Sequence, residues 1–190
     1  MKYDIILADP PWPYDSRRMV CESGTAIGGV EDHYSTMTAE DLYSLPVAEL
    51  GAKNCLLYLW ATGPKLAEAM ECIRRWGFKF TTVAYVWDKQ HSLPGYYSCS
   101  QVEFVLVAKR GRCPRRATTT EKQLVSSRRR AHSQKPEEVQ DSIDRQWDST
   151  SQKIELFARR DREGWTTVGN QCPSTLGVDI RRWLRDNETK

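Results

Sequence analysis

Asp9, Pro10, Pro11 and Trp12 bring together a carboxylate, a rigid backbone and an aromatic ring. Each proline restricts the residue before it to extended conformations, so the carboxylate and carbonyl groups of this turn have fixed directions. Asp9 and the Pro10 carbonyl could accept hydrogen bonds from both N–H bonds of one flat amino group and favour a pyramidal, nucleophilic nitrogen. Trp12 could offer a face on which the base carrying that amino group stacks. Alternatively, the four residues are only a proline-terminated strand with a buried Trp, and the motif alone does not decide between the two interpretations.

A buried strand is predicted directly before this motif. Residues 4–8 (DIILA) form a short apolar run, and it ends at the prolines because they cannot donate hydrogen bonds to a sheet. Ligands of open α/β sheets bind outside the carboxyl ends of the strands. The motif therefore lies where a binding site is expected.

The rest of the chain alternates between helical and strand patterns. Thr38 and Asp41 have the spacing of a capping box and open a predicted short helix. The predicted helices are 39–45, 64–76, one that begins at Pro136, and 178–185; the predicted strands are 4–8, 55–60, 80–87, 102–108 and 153–158. This alternation predicts an α/β fold with a mostly parallel sheet flanked by helices.

Two long segments show neither pattern and are predicted to be mobile loops. The first spans about residues 14–34, and the second about 109–135. The second carries ten Lys or Arg residues against one Glu, a local charge of +9 that leaves the remainder of the chain at −6. Such a concentration of charge is typical of a surface that contacts phosphates, although a solvated charged loop explains the charge alone equally well.

The composition limits the classes of protein that remain. A chain of 190 residues suits one domain with its own core, so a single domain, 1–190, is predicted. Six scattered cysteines without a Cys-x-x-Cys pair, and only three His, argue against a metal site. The longest apolar run, 55–61, is too short to span a membrane and no secretory signal is visible, so a cytoplasmic location is expected.

An ordered series of motifs resembles the MT-A70 family of N6-adenine methyltransferases. The series covers nearly the whole chain and reads KYDIILADPPW, HYSTM, LPV, LYLWATGP, WGF, VWDK, HSQKP, ELFARR, GW and GNQ. Its order is far more specific than any single piece. The resemblance implies a Rossmann-like fold that uses S-adenosylmethionine, with a permuted motif order in which the cofactor-binding elements follow the catalytic motif.

The resemblance also implies roles for particular residues. The implied catalytic residues, which hold the target adenine, are Asp9, Pro10, Pro11 and Trp12. The implied substrate-binding residues are Tyr34, which would close over the base, and Trp87, Lys89 and Glu103 around it. A Trp in a strand is otherwise more often a core residue. The implied cofactor-binding residues are Asp9, His132, Lys135, Arg159, Asn170 and Gln171. Arg128, Arg129 and Arg130 are predicted to contact nucleic-acid phosphates.

The function that follows is direct in-line methylation of the exocyclic N6 amino group of adenine in DNA, with S-adenosylmethionine as cofactor. An adenine inside a duplex cannot reach such a turn, so the base must be flipped out or already unpaired. The same reaction on RNA remains an alternative, as does a catalytically inactive nucleic-acid-binding partner of an active enzyme. The expected partners are nucleic acid and either a second copy of the chain or a partner subunit, and no membrane.

Overall fold

The computed structural model describes residues 2–13, 37–93, 97–117, 120–129 and 134–187. Seven strands form one sheet: β1 (Tyr3–Ala8), β2 (Gly51–Thr62), β3 (Lys79–Leu93), β4 (Ser100–Arg110), β5 (Leu124–Ser126), β6 (Lys153–Leu156) and β7 (Thr166–Val168). The helices are α1 (Ala39–Tyr43), α2 (Leu66–Arg75), α3 (Glu137–Gln146) and α4 (Ile180–Asn187). Short 3₁₀ helices cover Val47–Glu49, Gly63–Lys65 and Pro173–Thr175.

The strand order across the sheet is β5-β3-β4-β2-β1-β6-β7. Strands β2, β1, β6 and β7 pair in parallel, and β5 pairs in parallel with β3. Strand β4 is antiparallel to both of its neighbours, β2 and β3. All the other strands of this sheet therefore point the same way, and their carboxyl ends form one edge, named here the carboxyl edge. The opposite edge is the amino edge.

Alternating side chains along the strands fill two apolar layers, one on each face of the sheet. One layer includes Ile6 of β1 and packs against α1, α2 and α4; the other includes Leu7 of β1 and packs against α3. Strands that are buried on both faces read as continuous apolar runs, which is why residues 4–8 and 55–60 lack polar alternation. The sheet is therefore the middle of three layers, as in α/β folds.

The helix boundaries follow from local chemistry. The capping box predicted for α1 is present, because the Asp41 backbone N–H donates to Thr38 Oγ1 at 3.1 Å and the Thr38 N–H donates to Asp41 Oδ2 at 3.4 Å. Helix α2 ends before Gly77, whose φ of 76° is accessible to glycine at little cost. The Trp76 indole N–H donates to the Leu42 carbonyl at 2.9 Å and fastens α2 to α1.

The predicted fold class is confirmed, and the differences concern short elements. Strands β5 and β7 were not predicted, because three residues are too few for a periodic pattern. The prediction of one uninterrupted loop over 109–135 is wrong. Lys109 and Arg110 belong to β4, and Leu124–Ser126 form β5 with Val125 buried. The other predicted loop, 14–34, lies outside the described residues.

The direction of β4 divides the basic segment between the two edges of the sheet. Because β4 is antiparallel, its carboxyl end at Arg110 lies at the amino edge, about 23 Å from Glu103 at a rise of about 3.3 Å per residue. Arg110 itself donates to the carbonyls of Ala48, Gly51 and Ala52. Arg116 lies over the Trp147 ring, 5.6 Å from its centroid. Of the seven Arg in this segment, those at 110–116 are therefore remote from Asp9.

No helix within the described part of the chain is long and apolar enough to cross a membrane.

Candidate active site at the carboxyl edge

The turn after β1 sits at the carboxyl edge and is held from both sides. The Asp9 N–H extends the ladder toward β6 by donating to the Leu156 carbonyl at 3.4 Å. The Trp12 N–H donates to the Pro10 carbonyl at 2.8 Å, which closes a tight turn around Pro11. One lone pair of the Pro10 carbonyl is thus engaged and the second remains available as an acceptor. The position predicted for the motif, at the carboxyl end of a strand, is confirmed.

Trp12 anchors this turn to the core. Its side chain is 5% exposed, and its indole N–H donates to the Trp60 carbonyl of β2 at 3.0 Å. The interpretation of Trp12 as a stacking face for a base therefore differs from the structure, which places the ring in the apolar layer against α1 and α2. For this residue the alternative of a buried Trp describes the structure. Its contribution is to fix the direction of the residues before it.

Four predicted site residues form a continuous chain of alternating charges. Lys135 Nζ lies 2.9 Å from Asp9 Oδ1 and 3.3 Å from Glu103 Oε2, and Lys89 Nζ lies 3.4 Å from Glu103 Oε1. These side chains come from the turn after β1, from β3, from β4 and from the residue preceding Pro136. Their side chains are 10–20% exposed. Sequence motifs that are up to 126 residues apart therefore meet at one place.

The antiparallel direction of β4 brings Glu103 to this edge. Glu103 is in register with Thr62 at the carboxyl end of β2 and with Trp87 near the carboxyl end of β3. Burial disfavours the Glu103 carboxylate, but the charges of Lys135 and Lys89 outweigh that effect and lower its pKa below the usual value. Glu103 is therefore ionised at neutral pH.

Lys135 is charged for the same reason. Burial disfavours the ammonium group, but the carboxylates of Asp9 and Glu103 outweigh burial and raise the pKa of Lys135 above its usual value. The ammonium also lies over the Trp60 ring, 5.3 Å from the centroid, which adds a cation–π attraction. Lys135 thus links the turn after β1 to β4 through one shared positive charge.

Trp87 forms a wall beside this cluster. Its ring meets Trp60 edge-on at a centroid distance of 6.2 Å, and its indole N–H donates to the Ser127 carbonyl at 2.8 Å. It is 2% exposed, so it supports the cluster from within the core. Trp60 was not predicted as a site residue; its place at the end of the apolar run LYLW gave no signal beyond core packing.

The residues predicted to contact phosphates follow β5 directly. The Arg129 N–H donates to the Lys89 carbonyl at 3.4 Å, and the Ser127 N–H donates to the Asp88 carbonyl at 3.2 Å. Because β5 is parallel to β3, Arg128 and Arg129 leave the sheet at the carboxyl edge, near Lys89. Tyr34, Arg130 and His132 lie outside the described residues.

The segments predicted to bind the cofactor follow the neighbouring strands β6 and β7. Arg159 comes three residues after β6, and Asn170 and Gln171 come just after β7. The Ala158 N–H donates to the Val168 carbonyl at 3.0 Å. A Cβ on Gly169 would lie 2.0 Å from the Ala158 carbonyl oxygen, so only glycine allows this approach. Arg159, Asn170 and Gln171 therefore lie in two adjoining segments, the first of which follows β6, the strand next to β1.

A half-buried carboxyl group that the sequence did not reveal lies near Asp9. Glu155 of β6 is in register with Leu7 of β1, on the sheet face that α3 covers. Gln140 of α3 donates to Glu155 Oε2 at 2.7 Å. Burial raises the pKa of Glu155 to about 7, and the negative charge of Asp9 adds to the shift. Within ELFARR this Glu looks like an ordinary strand residue, so only the tertiary structure identifies it.

Among the described residues, no group of three or more His, Cys, Asp or Glu side chains could hold a metal ion.

Two comparisons with known proteins show what the chain is similar to. The MT-A70 family model matches residues 3–171. The chain is 38% identical over 184 residues to "Type II methyltransferase M.MunI" of Mycoplasma sp, an alignment that covers 90% of this chain and 78% of that protein. It is 29% identical to "Putative N(6)-adenosine-methyltransferase MT-A70-like" of Medicago truncatula over 94% of this chain, and 27% identical to "N(6)-adenosine-methyltransferase catalytic subunit METTL3" of Homo sapiens over 90% of it. The chain spans only 28% of the length of each of these two relatives. The match over most of the chain shows that it belongs to the MT-A70 family.

Proposed function

We propose that this chain is a single-domain, S-adenosylmethionine-dependent methyltransferase that methylates the exocyclic N6 amino group of adenine in DNA. The observation that carries the proposal is the turn at Asp9 and Pro10, with Lys135 held against the Asp9 carboxylate at 2.9 Å. Family membership supports the reaction class. The turn supplies what an amino group requires, namely two acceptors with fixed directions at the edge where ligands of α/β sheets bind.

The chain's own residues prepare the amino nitrogen. The lone pair of an aromatic amino group is delocalised into the ring, so the nitrogen is a poor nucleophile. Asp9 and the second lone pair of the Pro10 carbonyl accept hydrogen bonds from the two N–H groups of the amino nitrogen. These two hydrogen bonds favour a pyramidal nitrogen. The Asp9 carboxylate also stabilises the positive charge that develops on the nitrogen. Trp12 and Lys135 keep the acceptors in place, so the reaction pays no reorganisation cost at the turn.

The residues beside this turn suit S-adenosylmethionine, which supplies an electrophilic methyl group on a positively charged sulfur. Arg159 and Lys135 carry charges that suit its carboxylate. Asn170 and Gln171 offer amide donors and acceptors for hydroxyl groups or an adenine edge. The bare backbone at Gly169 lets this segment lie against Ala158, where any side chain would collide. The donor set therefore fits the cofactor, which would supply its methyl group directly to the amino nitrogen, with S-adenosylhomocysteine as the leaving group and loss of one amino proton, and without a covalent enzyme intermediate.

DNA is favoured over RNA by the pattern of similarity. The relatives named for adenosine methylation are much longer proteins, of which the chain spans 28%, whereas the Type II methyltransferase is matched over 78% of its length. A target adenine in a duplex must leave the stack to reach Asp9. Arg128 and Arg129, which follow β5 at the same edge, would contact the neighbouring phosphates. Action with a second copy or a partner subunit is part of the same proposal, because one relative is named as a catalytic subunit.

The direct test combines a substrate panel with one substitution at the turn. The purified chain is incubated with S-adenosylmethionine and DNA or RNA oligonucleotides, single- and double-stranded, and N6-methyladenine is measured by mass spectrometry. We expect methylation of DNA, loss of it in Asp9→Ala, and retention of it in the control Asp148→Ala, which removes a carboxylate at the amino edge. Methylation of RNA alone would show that RNA, and not DNA, is the substrate. An active Asp9→Ala variant would refute the role of the carboxylate.

A second test separates the two halves of the basic segment. The first variant replaces Arg128, Arg129 and Arg130 by Ala. The control variant makes three Arg-to-Ala changes at the amino edge, at Arg112, Arg115 and Arg116. Each lost phosphate contact lowers the slope of log K against log salt by about 0.9. We expect the slope to fall by about 1–3 in the first variant and to change little in the control, with cofactor binding intact in both. Equal slopes in the two variants would remove Arg128–Arg130 from the DNA interface.

A further inference from the structure

The two segments assigned to the cofactor are joined at two separate points. The first is the backbone contact described above, in which Gly169 lies against Ala158 so closely that a Cβ would be 2.0 Å from the Ala158 carbonyl oxygen. The second is the side chain of Asp161, which reaches from the loop after β6 to the turn after β7. Neither the motif ELFARR nor the motif GNQ contains Asp161.

Asp161 is exposed to solvent, yet its carboxylate accepts several hydrogen bonds. Thr167 Oγ1 donates to Oδ1 at 3.0 Å, and the buried Cys172 thiol donates to the same oxygen with an Sγ–Oδ1 distance of 3.1 Å. The Ser174 backbone N–H donates to Oδ2 at 3.2 Å. Cys172 precedes the 3₁₀ helix Pro173–Thr175 and does not cap it with its own side chain. Asp161 therefore caps that helix from a different segment, and the bonds from Ser174 and Cys172 lower its pKa below the usual value.

The two contacts bracket the cofactor residues on both segments. Arg159 lies between Ala158 and Asp161 in the chain, and residues 170–171 lie between Gly169 and Cys172. Each segment is thus fastened to the other immediately before and shortly after its cofactor residues. A pair of loops held in this way loses little conformational freedom when a ligand binds between them, which increases affinity without adding a contact.

We propose that Asp161 is a positioning residue for the cofactor, which sets the spacing between Arg159 and Asn170–Gln171 and thereby the affinity for S-adenosylmethionine. This inference rests on the proposed function, because the cofactor roles of those residues come from it. Asp161 does not touch the reacting atoms. Its removal therefore weakens cofactor binding and leaves the bound complex able to react.

The test measures binding of the methyl-free product, S-adenosylhomocysteine, by calorimetry with Asp161→Ala. Loss of the ordering that these bonds provide weakens binding by about 10-fold. In steady-state methylation, KM for S-adenosylmethionine should rise by the same factor, while kcat at saturating cofactor and KM for DNA stay within about twofold of the wild type. Thr167→Val combined with Asp161→Ala should weaken binding by less than the product of the two single effects, because the two residues share a contact.

The matched control is Asp179→Ala. Asp179 is also exposed and accepts hydrogen bonds at a helix start, from the Arg181 N–H at 2.8 Å, and within the part of the chain that the structure describes its side chain bonds only to the start of its own helix. Its removal should leave cofactor affinity unchanged. Equal loss of affinity in both variants, or unchanged affinity in Asp161→Ala, would overturn the inference. A wild-type chain that binds no S-adenosylhomocysteine would refute the proposed function instead, so the two failures are distinguishable.

Discussion

Replacement of Lys135 by Met removes the charge that Asp9 and Glu103 share. The two carboxylates lie 2.9 and 3.3 Å from Lys135 Nζ, so they are close to each other. The carboxylates repel each other with or without Lys135, so what the variant loses is the attraction of the ammonium group. For charges about 3 Å apart, this attraction is about 3 kcal/mol at an effective dielectric constant of about 40, between the value for partly buried pairs and that of water. That energy corresponds to roughly 2 pKa units. Without the ammonium group, the pair of carboxyl groups therefore retains one proton to a higher pH.

This change should appear in the rate of methyl transfer. A carboxyl group that carries a proton is a weaker acceptor for the substrate amino group, so the enzyme is slow until the pair is fully ionised. We expect the acidic limb of the pH profile of kcat/KM to move about 2 units toward alkaline pH in Lys135→Met. Initial rates with labelled S-adenosylmethionine and a DNA substrate from the panel, between pH 5 and 10, measure the shift.

Lys153 provides a closely matched control at the amino end of β6. Its Nζ lies 2.6 Å from Asp144 Oδ1 and 5.7 Å from the Trp165 ring centroid, much as Lys135 lies 5.3 Å from the Trp60 ring. Both Lys-to-Met variants break a partly buried ion pair and should lose a few kcal/mol of stability, about 3–5 at most. Only Lys135→Met should shift the pH profile. A shift of the same size in Lys153→Met, or none in Lys135→Met, would refute the reasoning.

Two further predictions concern Glu155 on β6 and Gly169 just after β7. The pKa of Glu155 is about 7 in the folded chain, against an ordinary value of 4.5. The folded state therefore binds this proton more tightly than the unfolded state does. The free energy of unfolding should fall by about 3 kcal/mol in all as the pH rises from about 4.5 to about 7. Glu155→Gln should abolish this decline in urea titrations at pH 5 and 8, and an unchanged decline would contradict it. Gly169→Ala should force the backbone at Ala158 to move by about 1 Å and lower kcat/KM by about 10²-fold, whereas Gly63→Ala, whose added Cβ meets nothing within 4 Å, should be neutral. Equal activity of the two Ala variants would show that the close approach is not needed.

The sequence predicted the position of the catalytic turn because its signal is local. An apolar run followed by Asp-Pro-Pro is sufficient to place Asp9 at the end of a strand, and the structure agrees. The sequence did not decide whether Trp12 is buried, because a Trp after a turn has the same pattern whether its ring packs inward or faces a ligand. That outcome depends on the Trp60 carbonyl, which is 48 residues away and supplies the partner for the indole N–H.

The division of the basic segment was hidden for a different reason. The charge of a segment can be counted from the sequence, but the direction of a strand within the sheet cannot be read from it. The period of two residues is the same for parallel and antiparallel pairing. The sequence therefore grouped Arg110 with Arg128, although β4 carries the first to the amino edge and β5 carries the second to the carboxyl edge. A strand pattern at β5 could have separated the two groups of Arg residues, but β5 is only three residues long and shows no such pattern.

The antiparallel direction of β4 also explains how one site can use residues from so much of the chain. If β4 ran parallel to β2, the amino end that holds Glu103 would lie at the amino edge, about 23 Å from the position it now occupies. Lys135 and Lys89 would then both lose their contacts with Glu103. Because β4 is reversed, one ammonium group joins the turn that binds the amino group to the middle of the sheet. The rigidity of the acceptors at Asp9 and Pro10 therefore depends on a feature of the topology, the direction of β4, as much as on the two prolines.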